Sequence, residues 1–143
     1  MVGGQVVDVE SENTTDMTKE KLDFIYRLKT SALIESAMLI GAVLAGATEE
    51  EQKIIEQAAG KVGLAFQIQD DILDVTSTME VLGKPIGSDE KNHKVTYVTY
   101  EGIEKARDDV KALSTEAINL VESLSGKNEF LTELLSYLIA RDK

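Results

Sequence analysis

Three aspartates fall within five residues, Asp70, Asp71 and Asp74, in the otherwise apolar run "GLAFQIQDDILDV" from Gly63 to Val75. If the run is helical, each residue turns the chain by about 100°. Asp70 and Asp74 then share a face one turn apart, and Asp71 neighbours Asp74 at i+3. All three can address one cavity. Like charges at this spacing destabilise an isolated helix by about 0.2–0.5 kcal/mol per pair, and desolvation raises the cost steeply unless cations are present. Spacing alone leaves two readings open. One is a solvated acidic face. It is weakened by Phe66, Ile68, Ile72, Leu73 and Val75, and by the lack of Lys or Arg between Lys61 and Lys84, because a solvated charged face normally mixes signs. The other is a divalent-cation site. Carboxylates are hard oxygen ligands that suit Mg2+, with Mn2+ as the alternative. Mg2+ is commonly held by one or two carboxylates, waters and a substrate phosphate. No alternating D-x-D-x-D-G loop is present, so this is not an EF-hand.

A phosphate needs further cations. Lys29 stands in "KTSALI", within an otherwise apolar helix, where a buried ammonium requires a counter-charge. Lys84 and Lys94 lie in and just after a long loop; for each alone, a surface role is the ordinary reading. Gln5 and Asp8 fall at i and i+3 on a short N-terminal helix and carry little by themselves. His93, the single histidine, reads as a loop residue. One histidine rules out a His-rich metal site, and no Ser-His-Asp arrangement can be assembled.

These side chains must be held by helices. Alanine, leucine, glutamate and lysine are abundant, strand signals are scarce, and the single proline is Pro85; together they predict an all-α chain. Thr18 is a candidate N-cap for a long helix running to about Ala45. The early part of that helix is amphipathic, and its later part is apolar nearly all round, which predicts deep burial. Thr48 with Glu51 matches a capping box that opens a second helix, Glu49 to Thr76. Gly60 and Gly63 weaken that helix by about 1 kcal/mol each relative to alanine, tolerable where another helix or a ligand approaches closely. Residues 11–17 read as a polar loop and 77–93 as a long, glycine- and charge-rich one. The latter exceeds most connections in length, a mark of functional loops. "KVTYVTY" (Lys94 to Tyr100) is β-rich by propensity but has no partner strand, and is read as a short helix. Two amphipathic helices close the chain, Gly102 to about Leu124 and about Asn128 to Ala140, broken at "SLSGKN".

The chain's 143 residues fit one domain. A net charge of −11 and the absence of a basic stripe argue against nucleic acid. With no cysteine there is no disulfide or thiolate site, which is compatible with a reducing compartment; a cytoplasmic location is expected. "MVGGQVVDVE" lacks the basic and apolar regions of a signal peptide. The most apolar stretch, Ser31 to Ala47, is interrupted by Glu35 and falls short of the roughly 20 residues of a spanning helix.

The segment "FQIQDDILD" (Phe66 to Asp74) resembles the second aspartate-rich motif of the trans-polyprenyl diphosphate synthases. The remaining pieces follow in that family's order: "GGQVVD" (Gly3 to Asp8), "KTSALI" (Lys29 to Ile34) and "LGKPIGSDEKNHKVTY" (Leu82 to Tyr97). The terminal "SYLIARDK" is similar to the basic C-terminus of bacterial farnesyl diphosphate synthases. The similarity covers essentially all 143 residues. Absent are the first aspartate-rich motif, the basic residues for isopentenyl diphosphate upstream of it, and the arginine pair that follows it. Val98 stands where many members have proline. The resemblance therefore implies the C-terminal half of the isoprenoid synthase helical bundle, residues 1–143 forming a partial domain of a farnesyl- or geranylgeranyl-type synthase.

What the resemblance implies is a prenyltransferase. An allylic diphosphate is condensed head-to-tail (1'-4) with isopentenyl diphosphate, releasing pyrophosphate. Asp70 would bind Mg2+ directly, with Asp71 and Asp74 holding it through water or as outer ligands. Lys29 and Lys94, and with them Lys84, would neutralise diphosphate oxygens. Thr30 and Gln67 would face the allylic cation or the phosphates. The chain alone is expected to be inactive, needing a complementary N-terminal half, and to self-associate. The alternative is a catalytically incomplete binding or modulating subunit that docks on a full-length synthase.

Overall fold

Thr18 opens the first long helical run: its Oγ1 accepts from the Lys21 backbone N–H at 3.3 Å, satisfying one of the donors that a helix start leaves over. In a computed structural model describing residues 1–11, 17–76, 95–126 and 129–140, that run is α2 (Lys19–Tyr26), a π-helical turn (Arg27–Ser31) and α3 (Ala32–Leu44) in unbroken succession. It is preceded by α1 (Val2–Glu10). Thr48 and Glu51 form the expected capping box, with the Thr48 N–H donating to Glu51 Oε2 at 2.9 Å and the Glu51 N–H to Thr48 Oγ1 at 3.2 Å. They open α4, Glu49–Thr76, at the predicted bounds. The β-branched "KVTYVTY" ends in a short helix, α5 (Tyr97–Glu101), because Thr96 and Thr99 cap each other reciprocally. After it come α6 (Ile103–Glu122) and α7 (Glu129–Ala140). No strand occurs among the described residues, as the all-α reading requires.

α4 is the central element. It packs against α3 on one flank and α6 on the other, while α7 leans on both α6 and α4. α1 lies across α2 and the π turn. The core runs along the α4 positions Ala58, Val62, Ala65, Ile68 and Ile72, three or four residues apart, against Ala106, Val110, Ala117 and Val121 of α6 and Leu22, Ile25 and Tyr26 of α2. Fully covered alanines at the contact, Ala58, Ala65, Ala106 and Ala117, bring the helix axes close and leave room for the larger Val62 and Ile68.

One expectation is corrected. α3, the most apolar helix, is not deeply buried: none of its residues reaches full burial, and Leu33, Ile40, Val43 and Leu44 are 54, 61, 55 and 83% exposed. Its packing partners are α4 and the π turn, which cover one side of a helix that is apolar on all sides. Among the described residues no helix is long and apolar enough to cross a membrane. The loop expectations for 11–17 and 77–93, the break at "SLSGKN" and the tail "SYLIARDK" fall partly or wholly outside the described residues, as do Lys84, His93 and Lys94.

Candidate functional site

The π turn presents Lys29 and Thr30. A single π turn within an α-helix shifts the register of the side chains that follow, and such turns concentrate at functional sites. This one is held from two sides by glycine contacts. A Cβ on Gly4 of α1 would lie 2.6 Å from the Lys29 backbone nitrogen and 2.7 Å from the Leu28 carbonyl carbon. A Cβ on Gly63 of α4 would lie 2.5 Å from the Ser31 Cα. Neither position can carry a larger residue without moving backbone. Gly60 is a milder case, where a Cβ would come within 3.1 Å of a Glu35 carboxylate oxygen. The close approaches expected at Gly60 and Gly63 are therefore present, and Gly4 adds one that composition did not reveal.

With the turn so placed, Thr30 Oγ1 donates to Gln67 Oε1 at 2.8 Å, joining two of the predicted site residues. Lys29 Nζ donates to Asp8 Oδ2 at 2.6 Å. Asp8 is the counter-charge that a half-buried ammonium needs; its side chain is 8% exposed against 33% for Lys29. It was the residue of "GGQVVD" that spacing alone could not weigh, because its partner lies on a different helix. Gln67, Asp70 and Asp74, at i, i+3 and i+7, follow one face of α4.

The three aspartates differ in their surroundings. Asp70 is half-buried, whereas Asp71 is 5% and Asp74 is 3% exposed. Asp71 Oδ2 accepts from Tyr26 Oη and from the Tyr97 backbone N–H, the latter at 2.9 Å. Neither tyrosine was singled out in the sequence. The weak available signal was Tyr26 at i−3 from Lys29, and "TY" just after the long loop. Among the described residues no group of three acidic or histidine side chains gathers tightly enough to hold a metal ion alone.

A second polar network adjoins Asp71. The Tyr97 hydroxyl donates to Asp109 Oδ2 at 2.8 Å, and Lys105 donates to the other oxygen of Asp109. Burial, reinforced by the hydrogen bond to Asp109, pushes the Tyr97 phenol well above its usual range, so the hydroxyl keeps its proton. Burial would raise the Asp109 pKa, but the hydrogen bonds from Lys105 and Tyr97 outweigh it and hold the carboxyl below its ordinary value. A separate groove of about 680 Å³ opens between α2–α3 and α4, lined by Asp23, Arg27, Glu35, Glu56 and Lys61. None of the predicted site residues lines it.

The sequence matches the polyprenyl synthetase family over residues 1–135. The chain belongs to that family. It is 42% identical to a geranylgeranyl diphosphate synthase of Cyanophora paradoxa over 142 residues, 99% of this chain and 47% of that protein. It is 39% identical to the farnesyl diphosphate synthase of Bacillus subtilis strain 168 over 142 residues, covering 99% of this chain and 48% of that one. Its fold superposes with a TM-score of 0.78 on a Helicobacter pylori geranyltransferase complexed with magnesium and isoprenyl diphosphate, at 35% identity, covering 97% of this chain and 45% of the other. The chain thus spans about half the length of the curated relatives it matches.

Within a polyprenyl synthetase chain the donor set can be judged for Mg2+ on its chemistry. Asp70 and Asp74 offer carboxylate oxygens from adjacent turns of one helix face, the number of protein carboxylates that Mg2+ ordinarily takes when waters and phosphate complete its shell. The chemistry of these carboxylates fits the ion.

Proposed function

We propose that this chain supplies one diphosphate-binding wall of a prenyltransferase that joins an allylic diphosphate to isopentenyl diphosphate in 1'-4 fashion and releases pyrophosphate. The observation that carries the reading is the juxtaposition of Lys29 and Thr30, on a turn wedged between Gly4 and Gly63, with Gln67 on the helix face that continues to Asp70 and Asp74. Thr30 meets Gln67 directly, Lys29 is the residue beside Thr30, and Asp70 and Asp74 share the helix face of Gln67, which supports the reading. Mg2+, or Mn2+ in its place, held directly by Asp70 with Asp71 and Asp74 binding through water or as outer ligands, would neutralise diphosphate oxygens and improve the leaving group. Lys29 places its ammonium on the same anion and is kept in position by Asp8. Lys84 and Lys94 add charge from the chain between α4 and α5. Thr30 and Gln67 orient the diphosphate or face the allylic carbon, and the hydrogen bond between them fixes which way the amide points. The substrates are charged and water-soluble, and we place the chain in the cytoplasm.

A second reading is favoured by the bare apolar side of α3. In it the chain is a catalytically incomplete subunit that docks on a full-length synthase. One experiment separates the two. The purified chain is assayed with Mg2+, an allylic diphosphate and isopentenyl diphosphate, alone and mixed with a matching N-terminal half of the family. No turnover alone, recovery on mixing, and loss of that recovery in Asp70→Ala support the first reading. Turnover by the chain alone, or recovery indifferent to Asp70, overturns it. Modulation of an intact synthase without recovery supports the second.

A further inference from the structure

Asp71 lies in the middle of the acidic run, yet its surroundings are those of a structural anchor. It is buried, as are Tyr26 and Tyr97. Its Oδ2 takes the Tyr26 hydroxyl and the Tyr97 N–H, and that same N–H lies 3.0 Å from Tyr26 Oη. Tyr97 is the first residue of α5, and the N–H groups of a first helical turn have no partner within the helix. Thr96 Oγ1 accepts the Thr99 N–H at 3.3 Å, and Asp71 accepts that of Tyr97. The opening of α5 is thus satisfied from two directions, one of them across the fold. A carboxylate excluded from solvent is tolerable when donors surround it, and Asp71 has two that converge on one oxygen.

We propose that Asp71 is a positioning residue that clamps the acidic end of α4 to α2 through Tyr26 and to the start of α5 through Tyr97. Its meaning for catalysis rests on the diphosphate reading; the clamp itself does not. The contact closes a separation of 26 positions. The chain leaves α4 at Thr76, five residues after Asp71, and re-enters the described structure at Val95, two residues before Tyr97. Asp71 therefore fixes both ends of the connection that carries Lys84 and Lys94. Asp70, one residue earlier, is turned about 100° away from that contact. On the diphosphate reading the first aspartate meets the cation, and the second holds the frame behind it.

The test uses the full chain and the variants Asp71→Ala, Asp71→Asn, Tyr26→Phe, Asp70→Ala and Asp70→Asn. Hydrogen exchange at the Tyr97 amide is read without metal, against mid-α6 amides as the internal reference. Binding of Mn2+ with inorganic pyrophosphate is read separately by electron paramagnetic resonance. Loss of a charged acceptor predicts that Asp71→Ala speeds Tyr97 exchange by roughly tenfold or more. Asp71→Asn, which keeps an acceptor oxygen of the same shape, restores most of the protection, and Tyr26→Phe gives an intermediate loss. Both Asp70 variants leave Tyr97 exchange unchanged. In the binding arm, both Asp70 variants lose about tenfold or more, and Asp71→Asn, which keeps the frame and alters only an outer group, loses less than either. Tyr97 exchange that is unchanged in Asp71→Ala and in Tyr26→Phe overturns the clamp. Pyrophosphate binding lost as fully in Asp71→Asn as in Asp70→Asn also overturns it, and makes Asp71 a ligand. If Asp71→Ala does not fold, Asp71→Asn and Tyr26→Phe carry the same comparison. Absence of Mn2+–pyrophosphate binding in every form, with Tyr97 exchange still dependent on Asp71, supports the clamp and overturns the diphosphate reading alone.

Discussion

Lys29 and Asp8 show how far a single residue's needs can be read in advance. An ammonium in an apolar helix demands a counter-charge, and that demand is legible in "KTSALI". Which carboxylate answers it is not, because Asp8 is 21 positions away on another helix and only the packing of α1 across the π turn brings it near. Tyr26 and Tyr97 were missed for the same reason: nothing local reveals that the Tyr26 phenol and the Tyr97 backbone N–H donate to an aspartate 45 and 26 positions distant. Thr30 and Gln67 were singled out by family resemblance, and the fold adds that they touch. The worth of the Lys29–Asp8 pair follows from its exposure. Exposed pairs contribute about 0–1 kcal/mol and breaking a fully buried one costs about 3–5. With Lys29 one-third exposed, its share is discounted toward the lower class, and Asp8→Ala is expected to destabilise the chain by about 1–2 kcal/mol. Urea unfolding of Asp8→Ala, Lys29→Ala and the double variant measures this. A coupling of about 0.5 kcal/mol or more is expected, and additive single effects would show that the pair contributes nothing.

At the scale of elements, the caps and the bounds of α4 were legible because they are local: Thr18, Thr48 and Glu51 act within three residues of themselves. The π turn was not, because the contacts that flank it come from Gly4 and Gly63 on other helices. Glycines on these helices therefore have opposite meanings, which substitution should reveal. Gly63→Ala drives a methyl into Ser31, whose Cα and Cβ are both within contact, and overpacking of this kind costs about 1–3 kcal/mol. Because Cα is among the atoms met, Ser31→Ala should not rescue it. Gly41→Ala, in α3 with nothing within 4 Å, should instead stabilise by about 0.5–1 kcal/mol through helix propensity. Chemical denaturation of the two variants should move in opposite directions; a shared sign would refute the wedge. The contact between α5 and α6 carries a pH dependence. Asp109 is held below the ordinary aspartate range in the folded chain, so the unfolded state binds its proton more readily. The stabilisation is then complete above about pH 4 and is lost as pH falls through the folded pKa. Thermal melts between about pH 6 and pH 3 should show a shallower acid decline for Asp109→Asn than for the native chain.

For the molecule as a whole, two forces oppose each other. The apolar side of α3 exposes Leu33, Ile40, Val43 and Leu44, and α1 adds Val2, Val6 and Val9. Patterning along the sequence identified α3 as a helix that must be covered, and overestimated how much of the covering this chain provides. A helix that is apolar all round reports a need for neighbours on all sides; it does not say whose they are. Against association stands the net charge of −11. Burying one such side chain contributes about 1.5–3 kcal/mol, so several buried together outweigh a repulsion that is screened beyond about 8 Å at physiological salt. The chain by itself is therefore expected to self-associate, more strongly as salt rises, because screening weakens the repulsion and leaves the apolar term. Sedimentation velocity at low and physiological ionic strength measures this. Replacing Ile40 and Leu44 with glutamate should return the chain to a monomer with its helical circular dichroism intact, since both side chains already face solvent. The same double variant should also lose recovery of turnover with a matching N-terminal half, if that half covers α3. A monodisperse native monomer at both ionic strengths would remove the case for an uncovered docking face. A self-associating chain indifferent to the α3 substitutions would move that face to α1 or to the exposed Phe130 and Tyr137 of α7.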